Sequence, residues 1–364
     1  MAASNSLPPG ATSAYSRQFT PSSKTRFFIL HEFPPPDVQE LWSAFLSRID
    51  SPSHYDAPEY FLEPQWAGNR PFVILAFHQG DIVGVASGLH LHGNTACGVL
   101  SRPQIRVDPT HAVVASSRLS EGLLQEAGKE KLITVFAWNW VPLQGLEQQG
   151  FRRRELEGDV VLDLKLGSDA IYKQFHENRK RNIRAALNHG IEVTEANRRE
   201  DLTAYWEVYS RWRRTERKQI VHNLSFAIIE QVHHLRHNHR RFLARHNGKV
   251  IAATGLRFQP CGMVEYANNC SLDEFIHLRP NDLLLWRTIE WACQKGFTKY
   301  SLGAAHPFLR KSGGTVIPIC RYRLDRSLFH QHDLKDSARS QARSILAHLP
   351  AGIGNGLRKL SGNR

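Results

Sequence analysis

One ordering of elements occurs twice in this chain, and it constrains the fold more than any single motif does. In the first half, β-rich runs from Pro71 to Phe77 and from Asp81 to His90 are joined by a turn in which Gly80 supplies the required positive φ. A strand-like stretch from Gly98 to Val107 follows, then a helix from Ala112 to Ala127, a strand from Leu132 to Trp138, a short helix from Leu143 to Gln149 stopped by Gly150, and a β-rich tail to Leu164. The second half opens with a helix from Asp169 to Asn188, stopped by Gly190, and further helices around Leu202 to Arg217 and Ser225 to Leu235. It then repeats the order: a hairpin of Arg241 to His246 and Val250 to Arg257 turned by Asn247-Gly248, a strand from Met263 to Asn268, a helix from Asp282 to Gln294, and strands at Thr298 to Leu302 and Val316 to Leu324. Copies of about 140–160 residues are too long for a solenoid repeat, so the pattern predicts a duplicated mixed-sheet α/β unit. The helix through Leu283-Leu-Leu-Trp286 and Ile289 is apolar almost all round, as a crossover helix lying on a sheet must be.

Outside the two copies the composition changes. Residues 1–26 contain no acid, are rich in Ser, Pro and Thr, and lack the apolar core of a secretory signal, so they read as a disordered leader. The expected organisation is therefore a leader, a first unit over 27–166, a second over 167–328, and a basic tail over 329–364. No run approaches the ~20 apolar residues of a membrane span, so the expectation is a cytoplasmic protein, peripheral at the inner face of the membrane if the tail engages it. The five cysteines are widely spaced and never form C-x-x-C, which argues against a disulfide scaffold and a zinc ribbon. Lys and Arg number 47 against 34 acids, a net charge of +13 that favours an anionic partner without saying which.

Two stretches resemble a known group. Phe175 to Val193 carries a basic helix with Lys180, Ile183-Arg184, Ala186, Gly190-Ile191 and Val193 at the spacing that opens the second unit of Fem/CelD-type proteins. Asn281 to Gly303 is similar to the same group's helix, glycine and strand, with Ser301-Leu-Gly303 where an acid-x-Gly is usual. The chain thus resembles the tandem GNAT acyltransferases, which include the peptidoglycan-bridge aminoacyltransferases of the FemAB type and the CelD-like acetyltransferases associated with exopolysaccharide synthesis. The resemblance implies tandem GNAT domains. It also implies transfer of an acyl or aminoacyl group from acyl-CoA, acyl carrier protein or aminoacyl-tRNA to an amine of a cell-envelope or polysaccharide precursor that is nucleotide- or lipid-linked. No metal and no permanently bound cofactor is expected. The alternative reading is a noncatalytic GNAT-derived module that binds nucleic acid or another anionic polymer.

On a single helix, Lys173, Lys180 and Arg184 would form one cationic face, a clamp for phosphate or carboxylate or else a plain solvated surface. Glu265 and Tyr266 alternate on the strand before the crossover helix, Glu265 as base or acceptor anchor and Tyr266 as proton donor. Asn281 and Asp282 begin that helix, where capping accounts for them, and Arg279 beside them is a natural phosphate partner. His306, Arg310 and Lys311 follow the last crossing and complete the expected donor-binding set. His233 and His237 have metal-like spacing, but Arg236, Arg240 and Arg241 would repel a cation. The tail, with Arg339, Arg343, Arg358 and Lys359 among apolar residues, suits contact with an anionic membrane.

Overall fold

The computed structural model describes residues 26–63, 69–91, 93–98, 102–215, 225–227, 229–230 and 238–348. The first half runs β1 (Phe27–Leu30), α1 (Pro36–Arg48), β2 (Arg70–His78), β3 (Asp81–Leu91), β4 (Asn94–Cys97), β5 (Ile105–Val107), α2 (Ala112–Ala127), β6 (Leu132–Trp138), α3 (Gln144–Gln148) and β7 (Arg152–Asp163). The second runs α4 (Ser168–Gln174), α5 (Glu177–Asn188), β8 (Glu192–Glu195), α6 (Arg199–Thr215), β9 (His239–His246), β10 (Lys249–Phe258), β11 (Met263–Ser271), α7 (Pro280–Gln294), β12 (Lys299–Ser301), α8 (Pro307–Arg310) and β13 (Thr315–Asp325), before the terminal α9 (Gln331–His348).

All of these strands belong to one sheet, ordered β1-β2-β3-β4-β6-β13-β7-β12-β11-β10-β9-β8, with β5 added to β3. The order shows a strand exchange. Each half has a parallel pair, β4 with β6 and β11 with β12. The last strand of each half then joins the other half: β7 lies antiparallel to β12, and β13 antiparallel to β6. Between them β7 and β13 pair with each other from Thr315 opposite Val161 to Arg323 opposite Arg152. Neither half completes its sheet alone, so the junction is part of the hydrophobic core.

Period-two alternation distributes the core. On β2, Phe72, Ile74 and Ala76 join the cluster of α2 residues Ala115, Leu119 and Leu123, while Val73, Leu75 and Phe77 join Val38, Trp42 and Phe45 of α1. In the second half, Val264 and Tyr300 pack with Leu283, Leu284 and Ile289 of α7 and Ile183 of α5, whereas Leu243, Ala253 and Cys270 face Tyr205 and Val208 of α6. Cys97, Cys270 and Cys320 are buried, Cys261 is exposed, and all the cysteines are unpaired.

The structure corrects three sequence readings. Gly98 to Val107 is not one strand: β4 ends at Cys97, where Gly98 turns with φ 120°, and β5 begins only at Ile105, on β3. The single helix expected from Asp169 to Asn188 is two, broken at Phe175 and His176, whose ψ values are 138° and 143°. There the Phe175 ring packs 5.5 Å from Trp286, the His176 N–H donates to the Lys311 carbonyl at 2.9 Å, and His176 Nδ1 caps α5 by accepting from Asn178 N–H at 3.1 Å. Lys173 therefore lies on a different helix from Lys180 and Arg184, and the three do not share a cationic face. Finally, the chain from residue 329, read from the sequence as a basic tail, forms a helix from Gln331. The leader, the segment with His233 and His237, most of the helix expected at Ser225 to Leu235, and the chain beyond His348 lie outside the described residues.

Candidate functional site

A segment of the first half is laid across the sheet of the second. Met263 N–H donates to the Pro52 carbonyl at 2.8 Å, and the Ser51 and Thr298 hydroxyls are 2.8 Å apart. Gly262 allows this approach, since a Cβ there would sit 2.2 Å from the Pro52 oxygen. Buried Arg106 fixes the segment from behind by donating to the Ser51 carbonyl at 2.8 Å.

Where this segment meets β7, β11 and β12, a small cavity of about 20 Å³ is lined by Ser53, His54, Tyr55, Arg102, Asp159, Glu265 and Ser301, among others. Such a volume holds roughly one water-sized group. Arg102 Nε is 2.9 Å from Glu265 Oε1, and Arg102 also donates to the Gly303 carbonyl at 2.7 Å. Ser301 donates its hydroxyl proton to Asp159 Oδ2. Burial pushes the Asp159 carboxyl up to about 6, against the opposing pull of Ser301 and Arg102 and with the help of the Glu265 charge. Asp159 Oδ1 and Glu265 Oε2 are buried without a partner, while Glu265 Oε1 is ion-paired with Arg102. Two carboxylates against one guanidinium leave the site electronegative, with two free acceptor oxygens, and buried acceptors in that state call for a donor. Gly303 holds the geometry at φ 88°, and a Cβ on it would lie 2.5 Å from the Arg102 guanidinium. Gly303→Ala is therefore expected to cost about 1–3 kcal/mol from the disfavoured backbone alone and to displace Arg102, which thermal unfolding would register.

Beside this cavity lies a second buried group. Glu63 Oε2 is 2.8 Å from His54 Nε2, 3.1 Å from His239 Nε2 and 3.2 Å from Arg257 Nε. The Asn238 amide links the imidazoles, 3.2 Å from His54 Nδ1 and 2.9 Å from His239 Nδ1. Burial opposes ionisation of Glu63, yet Arg257 and His239 hold it well below the usual carboxylate range, and burial takes His239 down to about 4. His54, Glu63 and His239 are close enough to share a metal, but Arg257 already supplies the cation this carboxylate needs. The arrangement works as a bolt between the halves, with two residues from the first, His54 and Glu63, and three from the second, Asn238, His239 and Arg257.

On the opposite face of β11 the structure gathers a cationic group at the start of α7. Parallel pairing with β12 covers only Met263 to Glu265, so β11 continues to Ser271 without that partner. Fully buried Arg179 fills the opening: its Nη1 is 3.2 Å from Asp282 Oδ1, its guanidinium lies 4.4 Å from the Phe308 ring centre, and its Nε has no hydrogen-bond partner. Asn182 donates to Asp282 at 3.1 Å, and Arg279 and Lys311 are close enough to act electrostatically on that carboxyl, which burial raises. Tyr266 lies in this layer with its hydroxyl buried and unpartnered, and burial pushes its ionisation far up.

The predicted residues are thus divided. Glu265 enters the junction cavity, whereas Tyr266 faces the α5 and α7 layer, so the two do not meet at one atom. Arg279, exposed and left-handed at φ 63°, precedes α7, and Asn281 on its first turn donates to the Ser271 hydroxyl at 3.2 Å. Lys180 is paired with Glu177 at 2.8 Å, and exposed Arg184 donates to the Lys180 carbonyl at 3.4 Å. His306 caps α8 through Phe308 N–H, and Arg310 is turned toward Glu157 of β7 at 2.9 Å. Neither Arg184 nor Arg310 lines the junction cavity. An open cleft of about 450 Å³ at the other end of β12, lined by Trp140, Asp163, Gln174, Lys299 and Thr315, contains none of the predicted residues. Arg102, Asp159, Glu63, His54 and Arg179 were not singled out from sequence. Asp159 alone carried a signal, an acid at an inward phase of a strand beside a glycine.

Comparison with known proteins agrees with this architecture. The profile of the FemAB family matches residues 103–226, and that of the Acetyltransferase (GNAT) domain matches residues 173–308. No curated protein matches the sequence. Among solved structures, the chain is similar to FemX at 14% identity and a TM-score of 0.61, over 80% of this chain and 96% of FemX. It is also similar to the C-terminal domain of a protein from Agrobacterium fabrum provisionally assigned as a lysylphosphatidylglycerol synthetase, at 11% identity and a TM-score of 0.57 over 82% and 95%. A tandem GNAT protein from the clavulanic acid biosynthesis pathway aligns at 12% identity and a TM-score of 0.50 over 83% and 99%. Residues 103–226 thus match the FemAB family and residues 173–308 an Acetyltransferase (GNAT) domain, and the exchanged strands join these matched regions in one sheet of tandem GNAT fold.

Proposed function

We propose that the two units, 27–166 and 167–328, act as one N-acyltransferase that moves an acyl or aminoacyl group from an activated ester to an amine of a cell-envelope precursor. The observation that carries this reading is the pair of unpartnered carboxylate oxygens, Asp159 Oδ1 and Glu265 Oε2, around a cavity of water size. An ammonium group supplies N–H donors for both oxygens and one positive charge that matches the excess negative charge. Asp159, with its carboxyl near 6, is better matched to an amine proton than an ordinary carboxyl near 3.8. It takes one proton from the bound ammonium, and the freed lone pair then attacks the donor carbonyl; the new C–N bond replaces the donor's ester or thioester bond, and a second N–H proton leaves with the departing alcohol or thiol. Glu265 stays paired with Arg102 and anchors the acceptor.

The donor reading rests on the other face of β11. A thioester or ester donor carries phosphate, and Arg279, Lys311 and the N-terminus of α7 form a cationic landing place beside buried Arg179. Acyl-CoA, acyl carrier protein and aminoacyl-tRNA all carry such phosphates. Mass spectrometry of reactions with each donor class and amine acceptors tests the activity itself. The double variant Arg279→Ala/Lys311→Ala is expected to raise the donor KM about tenfold or more while leaving kcat near wild type. A fall in kcat with an unchanged KM would remove the donor from this face.

A further inference from the structure

Three of the large apolar side chains most exposed among the described residues stand close together in sequence: Leu328 at 71%, Phe329 at 75% and Leu334 at 60%. Leu328 and Phe329 project from a turn that is built rather than loose, and Leu334 from the first turn of α9 that follows it. Buried Asp325 accepts from the N–H of Ser327 at 3.0 Å and of Asp333 at 3.0 Å, and His330 N–H donates to the Ser327 carbonyl at 3.0 Å. Behind the turn, Arg323 and Arg321 of β13 hold Asp336 of α9 at 2.6 and 2.7 Å, so the start of that helix is fastened to the sheet. Phe329 is kept at φ 56°, a conformation that bulky residues seldom adopt. A fold that fixes an aromatic ring outward in this way presents it to something.

The surroundings indicate what. Arg326 donates to the Gly128 carbonyl at 2.9 Å and its N–H to the Lys131 carbonyl at 2.7 Å, which brings the loop of Lys129 and Lys131 beside the turn. Lys129, Lys131, Arg326 and Lys335 are all exposed, whereas the nearby Asp333 and Asp336 are consumed by Arg323 and Arg321. Bulky apolar groups that project rather than line a groove, rimmed by free cations, match an acyl–headgroup boundary with anionic lipids. We infer that Leu328, Phe329 and Leu334 form a membrane-docking tip that inserts among anionic headgroups, holding the enzyme at the leaflet without a spanning helix. Among the described residues no helix is long and apolar enough to cross a membrane.

The test is sedimentation of the full chain with vesicles of phosphatidylcholine alone and of phosphatidylcholine with phosphatidylglycerol. Binding to the anionic vesicles is expected to exceed that to neutral ones about tenfold and to weaken as salt rises. Leu328→Ser/Phe329→Ser is expected to lose it about tenfold or more with circular dichroism unchanged, while Leu187→Ser, an exposed apolar residue on α5, keeps it. Lys129→Glu/Lys335→Glu should reduce only the anionic component. The inference is overturned if the wild type ignores anionic vesicles, if the double serine variant binds like the wild type, or if the wild type is a dimer in solution that the serine variant dissociates.

Discussion

Replacing Asp159 by Asn is expected to lower the rate of acyl transfer by about 10²–10⁴-fold, the range associated with losing a positioned proton acceptor. The substitution keeps the shape and the hydrogen-bond partner Ser301, but removes both the charge and the basic oxygen that faces the cavity. Its pH dependence separates this role from a structural one. The folded carboxyl is raised to about 6 by burial, so the basic form accumulates only above that pH, and wild-type kcat should rise through about pH 6. In Asp159→Asn the limb should vanish, leaving a flat, low rate. The effect on stability runs the other way: a carboxyl whose folded value lies above its unfolded value of ~3.8 binds more protons when folded, so its contribution falls as pH rises from about 4 to 6. At neutral pH the asparagine variant should therefore be at least as stable as wild type in chemical denaturation. A variant that loses activity and stability together, with the pH limb intact, would show that Asp159 only supports the sheet.

The helices and strands were largely legible in the sequence because each rests on local periodicity and glycine stops: α2 and β6 begin and end where the pattern placed them. The misreadings have local causes with distant partners. Nothing near Phe175 announces a break, because what ends α4 is the packing of that ring on Trp286 and the hydrogen bond to Lys311, both more than a hundred residues away. The site was legible where a strand carried a charge at a fixed phase, as at Glu265. It was illegible where two halves contribute: Arg102 sits in a connection, Asp159 on an exchanged strand, and neither has meaning until β7 lies against β12. The same exchange accounts for Ser301, which stands where the family resemblance places an acid and instead donates to the acid of the neighbouring strand. Strand exchange cannot be read from the order of elements, since both arrangements use the same order.

Glu63→Gln is expected to be the most destabilising single change at the junction. It leaves the Arg257 guanidinium and two imidazoles buried without their anion, and breaking a buried ion pair from one side costs about 3–5 kcal/mol. Arg257→Met should cost a similar amount by stranding the carboxylate. The double variant should cost clearly less than the sum, because removing both charges leaves neither uncompensated, and this shortfall distinguishes an ion-paired bolt from two independent packing defects. The pH dependence has a definite sign. Glu63 has a folded value held well below its unfolded one, so its stabilisation is present above the unfolded carboxyl value of ~4.3 and is lost as pH falls through the folded value. His239, lowered to about 4 against ~6.5 unfolded, also stays neutral in the fold, so the unfolded chain binds the extra proton between those values. Both groups therefore weaken the folded state on acidification, and in an Asp159→Asn background, which lacks the opposing carboxyl, stability should fall progressively below about pH 6.5. His239→Gln should flatten the upper part of that decline, between about pH 6.5 and 5, while leaving the lower part that belongs to Glu63. Because the bolt ties residues of the first half to β9 and β10, its loss should also open the cavity of Asp159 and Glu265 to solvent, so hydrogen exchange at Met263 and Ser301 should quicken in Glu63→Gln before global unfolding does.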